Sequence, residues 1–266
     1  MVHPSRNQNL KISIVTVCFN SGLTIAKTFR SIDKQSYKNV EVIVVDGGST
    51  DDTVGVVKSF ENVVDIFVSE PDNGIYDALN KGLRLATGDV IGILHSNDFL
   101  ASITVLEEVA KYFTKMPNME ILLSSINFVA DTDDEIIREY TASGFKPWML
   151  SFGLLPPHPG SFFRSDVYTQ VGLFNTSYRI AGDFDLFVRA LAIERLVYGV
   201  LPLVSVSMTT GGASTSGLKS YLSITKEFAR SLSENGLFSS RLLIFLRALF
   251  KFSQFRLLHI AKSKLF

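Results

Sequence analysis

Short apolar runs alternate with segments of helical periodicity along the first half of this chain, a rhythm that restricts it to an α/β fold. The sheet is expected to be mostly parallel and covered by helices on both faces. The runs lie at 12–17, 40–45, 63–68, 90–94 and 121–126. Between them Ile25, Phe29 and Ile32, then Val54, Val57 and Phe60, then Leu79, Leu83 and Ala86 recur at helical spacing, and a further helix is expected near 105–113.

After residue 126 the rhythm changes. Asp131-Thr132-Asp133-Asp134 reads as a turn, 135–140 as a strand, 153–160 as a proline-rich loop and 203–208 as a half-exposed strand. Residues 209–217 form a glycine- and serine-rich loop, which either closes over a ligand or is a plain connection. The expected organisation is an N-terminal tail at 1–10, one domain at 11–218 whose rhythm changes after 126, and a helical segment at 219–266.

Composition excludes several classes. Lysine plus arginine number 26 and aspartate plus glutamate 26, so no global field favours nucleic acid. A single cysteine, Cys18, rules out an intramolecular disulfide framework, fits a reducing compartment and reads as a small buried thiol. The polar stretch 1–10 lacks the apolar centre of a signal peptide, and no uncharged apolar run approaches the ~20 residues of a spanning helix. A cytoplasmic location is expected.

Acids mark the carboxyl ends of two strands, where open α/β sheets bind ligands. Asp46 follows the run at 40–45; it offers a ribose hydroxyl or base N–H an acceptor, or else caps the next helix, and the nearby Ser49, Thr50 and Asp51 favour the first reading. Asp98 follows the run at 90–94. It suits a divalent cation bridging phosphate oxygens, which needs only one or two protein carboxylates, and it equally suits a helix N-cap.

Asp183 and Asp185 open a third segment, Ala181-Gly182-Asp183-Phe184-Asp185-Leu186, at the start of an amphipathic helix. There they face different directions and should have different tasks. One carboxylate here can serve as general base for an acceptor hydroxyl, or simply complement the helix dipole. His158, between Pro157 and Pro159, is open to three roles: cation ligand, acceptor contact or structural residue.

Taken in order, Ser13-Ile14-Val15-Thr16-Val17-Cys18-Phe19-Asn20, Val44-Val45-Asp46-Gly47-Gly48-Ser49-Thr50-Asp51, Gly88-Asp89-Val90-Ile91, Ser96-Asn97-Asp98 and Gly182-Asp183-Phe184-Asp185-Leu186 resemble a family 2 glycosyltransferase of the GT-A fold. The resemblance runs from about Lys11 to Ser214. Gly74-Ile75-Tyr76-Asp77-Ala78-Leu79-Asn80-Lys81-Gly82 is similar to the form found in bacterial polysaccharide-assembly members.

The resemblance implies a Rossmann-like sheet with C-terminal helices, and makes 11–218 the catalytic domain, with 11–126 its nucleotide-binding half and 127–218 its acceptor half. It also implies inverting transfer of a sugar from a nucleotide diphosphate sugar to a hydroxyl of a glycan or lipid-linked acceptor in cell-surface polysaccharide assembly, with Mg²⁺ or Mn²⁺ as cofactor. By position, Asp183 is the implied base and Asp98 the metal-binding last acid of an Asp-x-Asp motif. Asp46, Thr16 and Asn20 are implied at the nucleoside end, Lys81 at phosphate, and Ser96, Asn97, His158 and Asp185 among the substrate contacts.

This chain departs from the family pattern at Ser96, where the first acid is absent, and at Gly182, where a glutamate often precedes the base. Those departures motivate one rival, a non-catalytic sugar-nucleotide-binding or scaffold protein of the same fold. Dinucleotide and P-loop enzymes are disfavoured, since neither Gly-x-Gly-x-x-Gly nor Gly-x-x-x-x-Gly-Lys-Ser/Thr occurs.

Beyond Glu234 there is no acid, while Arg241, Arg247, Lys251, Arg256, Lys262 and Lys264 alternate with leucine and phenylalanine. Residues 237–266 therefore suit an anionic membrane surface, with the protein peripheral at the inner face of the cytoplasmic membrane. Packing onto the catalytic domain or a second subunit is the competing reading.

Overall fold

The computed structural model describes residues 10–131, 134–209 and 217–245. Its first half is a β/α alternation: β1 (Ile12–Cys18), α1 (Ile25–Asp33), β2 (Val40–Asp46), α2 (Thr53–Lys58), β3 (Ile66–Ser69), α3 (Ile75–Leu85) and β4 (Val90–Ile93). Then come β5 (Asp98–Leu100), α4 (Val105–Lys115), β6 (Ile121–Val129), β7 (Ile136–Tyr140) and a 3-10 turn, Pro147–Phe152. β8 (Ser161–Arg164), α5 (Ser165–Val171), α6 (Gly182–Phe187), a π-helical continuation Val188–Ile193, β9 (Tyr198–Thr209) and α7 (Gly217–Glu234) complete it.

Among the described residues, all nine strands belong to one sheet in the order β3-β2-β1-β4-β8-β6-β9-β5, with β7 paired to β6. β3, β2, β1 and β4 are mutually parallel, as the expected Rossmann-like arrangement requires. β8 then enters antiparallel between β4 and β6, β6 and β9 run parallel, and β5 closes the edge antiparallel to β9.

Two apolar layers cover the sheet. Ile12, Ile14, Val42 and Val44 face α1, α2 and α4 through Phe29, Val57 and Phe113. Val15, Val17, Ile43 and Val45 face α3, α5, α6 and α7 through Leu79, Val167, Phe187 and Leu232. Strand residues alternate between these layers because successive side chains leave a strand on opposite faces.

The structure moves several expected boundaries. The third strand begins at Ile66 rather than at 63, because the amides of Val63 and Val64 bond back to Phe60 O and extend the turn after α2. The strand expected at 203–208 starts at Tyr198: Pro202 falls where the β6–β9 register shifts, so the missing N–H is absorbed by an irregularity instead of ending the strand. β5 and β8, of 3 and 4 residues, had no periodicity to reveal them. The expected turn at 131–134 and the loop at 209–217 lie largely outside the described residues.

At the amino edge of the parallel strands Glu41 is the fastener. It is 6% exposed, and its carboxylate accepts Lys11 Nζ at 2.6 Å, Ser13 Oγ at 2.6 Å, Thr87 N at 2.8 Å and Thr87 Oγ1 at 2.7 Å. Burial alone would push this carboxyl upward, yet the four bonds outweigh burial and hold it down at about 2. A depressed folded-state pKa contributes stability above the unfolded value of about 4.3 and loses it as pH falls towards 2. Glu41→Gln should therefore cost about 2 kcal/mol at pH 7 and much less near pH 2, as read by urea unfolding at both pH values.

Candidate functional site

The carboxyl ends of β1 and β2 are level, with Cys18 opposite Asp46, and the adjacent β4 ends in the same direction. Their loops are knitted together. Asn20, at φ 48°, donates its amide to Ser49 Oγ at 2.7 Å and accepts Thr50 N on Oδ1 at 2.9 Å. Ser21 Oγ meets Ser96 Oγ at 2.8 Å, linking the loop after β1 to the loop after β4. Ser96 thus acts as a loop clasp where the family pattern has an acid.

Asp46 is fully buried. It accepts Ser49 N at 3.0 Å, Ser69 Oγ at 2.7 Å, the Ser49 hydroxyl, and Cys18 Sγ at 3.7 Å. Four donors match the roughly four acceptor positions of a carboxylate, so a nucleoside donor would have to replace one of them. Cys18 beside it is inert, its thiol pushed up to about 12 by burial and then by the charge of Asp46.

Thr16 does not line an open cleft, contrary to expectation: it is fully buried and shares the Ile14 and Cys18 face of β1, and its hydroxyl has no described partner. Lys81 differs too. Its ammonium already pairs with Glu70 at 2.8 Å, approaches Asp77 at 3.9 Å and donates to Pro71 O at 3.1 Å, which ties α3 to the loop before it and leaves no unpaired charge for phosphate.

Asp98 opens β5 and is 3% exposed. It is not the N-cap of α4, a position held by Thr104. Its Oδ2 has no hydrogen-bond partner among the described residues, and desolvation pushes its carboxyl up to about 7. An unpaired buried carboxylate is costly unless a proton or a cation compensates it, so this oxygen fits a divalent ion. Among the described residues no group of three or more His, Cys, Asp or Glu side chains could enclose a metal. An ion at Asp98 would therefore depend on phosphate oxygens and water for most of its coordination. Asn97 O, next to it, accepts Thr209 Oγ1 at 3.0 Å, fixing the loop to β9.

His95 went unassigned in the sequence. Its Nδ1 lacks a described partner, and burial holds the imidazole down at about 4. His158 lies near enough that His95 contributes, after burial, to holding it down at about 3. Both rings are neutral at physiological pH. His158 packs edge-on against Phe174 and Phe187, with centroids 5.7 and 6.0 Å away, so the apolar setting accounts for it.

Asp183 and Asp185 diverge as helical geometry requires. Asp185 is 3% exposed and fully engaged: it bonds Arg189 Nε at 2.9 Å, Ser231 Oγ at 2.9 Å and Asn235 Nδ2 at 3.2 Å, joining α6 to α7. The expected substrate contact is therefore replaced by a structural latch. Asp183 keeps an accessible face and one local bond, from Phe184 N at 2.7 Å. Burial pushes it up to about 6 against the pull of backbone N–H groups, with a further upward push from Glu227. That combination describes a carboxylate suited to take a proton near neutrality.

Gly182 precedes it for a steric reason. A Cβ there would stand 2.7 Å from Tyr76 Cζ, so the Tyr76 ring fills the space a longer residue would need. Tyr76 reaches this position from α3 and donates its hydroxyl to Ile180 O at 2.5 Å. Tyr76 lay inside a recognised motif without a role, and Glu227, 44 residues beyond Asp183, carried no local signal.

A profile of the family described as Glycosyl transferase family 2 matches residues 13–171. An uncharacterized glycosyltransferase of Mycobacterium tuberculosis is 30% identical over 184 residues, covering 68% of this chain and 69% of its own length. A PGL/p-HBAD biosynthesis glycosyltransferase of Mycobacterium bovis is 27% identical over 242 residues, 88% of each chain.

Among solved structures, S. aureus TarS 1–349 in complex with UDP-GlcNAc superposes with TM-score 0.66 at 18% identity, over 84% of this chain and 66% of that one. This chain spans 40% of a longer TarS chain. The mannosyltransferase PcManGT from Pyrobaculum calidifontis, in complex with GDP-Man and Mn²⁺, gives 0.63 at 17% identity over 85% and 64%. At such identities the likeness is one of fold, and the fold is GT-A. The profile match spans more than half of the 266 residues, and the chain belongs to glycosyltransferase family 2.

Proposed function

We propose that the protein is an inverting glycosyltransferase that moves a sugar from a nucleoside diphosphate sugar to a hydroxyl of a glycan or lipid-linked acceptor. The observation that carries this reading is Asp183: a carboxylate with an open face, one local bond and a pKa near 6, on a helix packed against the sheet of a family 2 fold. The relatives' glycosyltransferase names and the UDP-GlcNAc and GDP-Man held by the structural neighbours support a nucleotide-sugar donor.

In this reading the nucleoside rests against the loops shaped by Asp46 and Asn20. The diphosphate lies towards Ser96-Asn97-Asp98. Asp98 would hold a Mg²⁺ or Mn²⁺ ion, which when bound offsets charge on the departing diphosphate. The Mn²⁺ in the PcManGT complex supports that choice of cofactor. Asp183 takes the proton of the acceptor hydroxyl as its oxygen attacks the anomeric carbon on the side opposite the diphosphate, so the sugar changes hands in one displacement.

No described helix is long and apolar enough to cross a membrane. Phe238, Leu242 and Phe245 are exposed next to Arg241, which supports contact of the C-terminal end with an anionic surface, and hence a lipid-linked acceptor. The remaining five basic residues of that reading lie outside the described residues.

Asp183→Asn should keep donor binding in a thermal-shift titration with nucleotide sugars and Mn²⁺ while transfer falls by about 10²–10⁴; normal turnover would remove Asp183 as base. Because the base works deprotonated and its pKa is raised, wild-type kcat should decline as pH drops through about 6. Chelation with EDTA should abolish transfer, Mg²⁺ or Mn²⁺ should restore it, and Asp98→Ala should demand a higher metal concentration. Full activity in EDTA would exclude the proposed role of Asp98.

A further inference from the structure

α7 grips the segment around Asp183 at three places. Upstream, the Glu227 carboxylate accepts three consecutive backbone amides, Arg179 N at 3.2 Å, Ile180 N at 3.0 Å and Ala181 N at 2.9 Å. In the middle, the rings of Phe184 and Phe228 stack at 3.8 Å and 8°. Downstream, Asp185 is held by Ser231 and Asn235. Asp183 lies between the first two grips, so its position along the chain is fixed from both sides by one helix.

The three successive N–H groups held by this carboxylate have a steric partner on the other side. Tyr76 pulls on the same tripeptide from α3, through Ile180 O, and its ring abuts Gly182. Residues 179–182 are thus clamped between an acceptor on α7 and a donor on α3. The titratable groups that face Asp183 are Tyr76 and Glu227.

We infer that Glu227 is a positioning residue for Asp183: through the three successive amides it accepts, it fixes the backbone that presents the carboxylate. The inference rests on the reading of Asp183 as base, and it makes α7 a component of the active site rather than an appendage. Burial is the main upward cause at Asp183 and the Glu227 charge a lesser one, so removing that charge should move the Asp183 midpoint slightly to lower pH.

Two variants test this. Glu227→Gln removes the charge but leaves one oxygen able to accept Ile180 N and Ala181 N, which share Oε2 in the native chain. Glu227→Ala removes both charge and acceptor. Protein labelled with ¹³C at aspartate carboxyls gives the Asp183 titration directly, its resonance identified by its loss in Asp183→Asn, with no acceptor needed.

In Glu227→Gln the Asp183 midpoint should move to lower pH, and the acid limb of kcat should follow, while the amides of Ile180 and Ala181 remain protected from exchange. In Glu227→Ala those amides should exchange about tenfold faster or more, and kcat should fall by about tenfold with donor affinity kept within about twofold. Unchanged amide protection in Glu227→Ala would overturn the inference. Should Glu227→Ala fail to fold, Arg179 N, whose acceptor Oε1 is separate from the oxygen shared by Ile180 N and Ala181 N, decides by exchanging faster in Glu227→Gln or not. Normal transfer by Asp183→Asn, by contrast, would strike the assignment of the base and leave these two readouts to judge Glu227 separately.

Discussion

The parallel register of β1 with β2 and β4 is the constraint from which the site follows. It sends three carboxyl ends to one edge and three amino ends to the other, and the two edges are treated in opposite ways. At the amino edge Glu41 takes four donors and closes the structure. At the carboxyl edge the loops are stitched to one another through Asn20, Ser49, Ser21 and Ser96, yet polar atoms are left over. A fold that satisfies one edge completely can carry unsatisfied groups at the other, because their desolvation cost is small against the burial of two apolar layers.

Satisfaction also separates the acids by task. Asp46, Glu41 and Asp185 each have their acceptor positions filled by several donors, and such carboxylates hold backbone together. Asp98 and Asp183 have few donors and stand at about 7 and about 6, both raised chiefly by desolvation. A carboxylate that protein donors do not stabilise is one that a cation or a proton can, and these are the two partners the proposed transfer assigns to Asp98 and Asp183.

The sequence made the β/α half legible because its signals are long and redundant. α3 begins at Ile75 and ends at Leu85, the span implied by a glycine break on one side and apolar spacing on the other. The antiparallel half was not legible to that degree: β8 is a buried Ser161–Arg164 run of four residues, and Pro202 masked the start of β9. For the site, residue type located the acids but not their bonding. Asp183 and Asp185 are two residues apart, and only their partners, Arg189 and the stretch from Glu227 to Asn235, distinguish the latch from the proposed base. Thr16 and Lys81 were assigned by chain position, whereas burial encloses one and Glu70 and Asp77 claimed the other.

The departures from the family pattern bear on whether the fold still turns over. Loss of an acid before Asp183 would weaken a catalytic reading if Gly182 left a void, but Tyr76 occupies that volume and braces Ile180 O. Ser96 likewise replaces a charge with a bond to Ser21 that ties the loop bearing Asp98 to β1. In both places the chain has given up a carboxylate and gained a rigid contact beside one it retains. In the proposed reading the buried Asp98 and the partly exposed Asp183, each with few protein donors, are compensated by a cation and a proton instead.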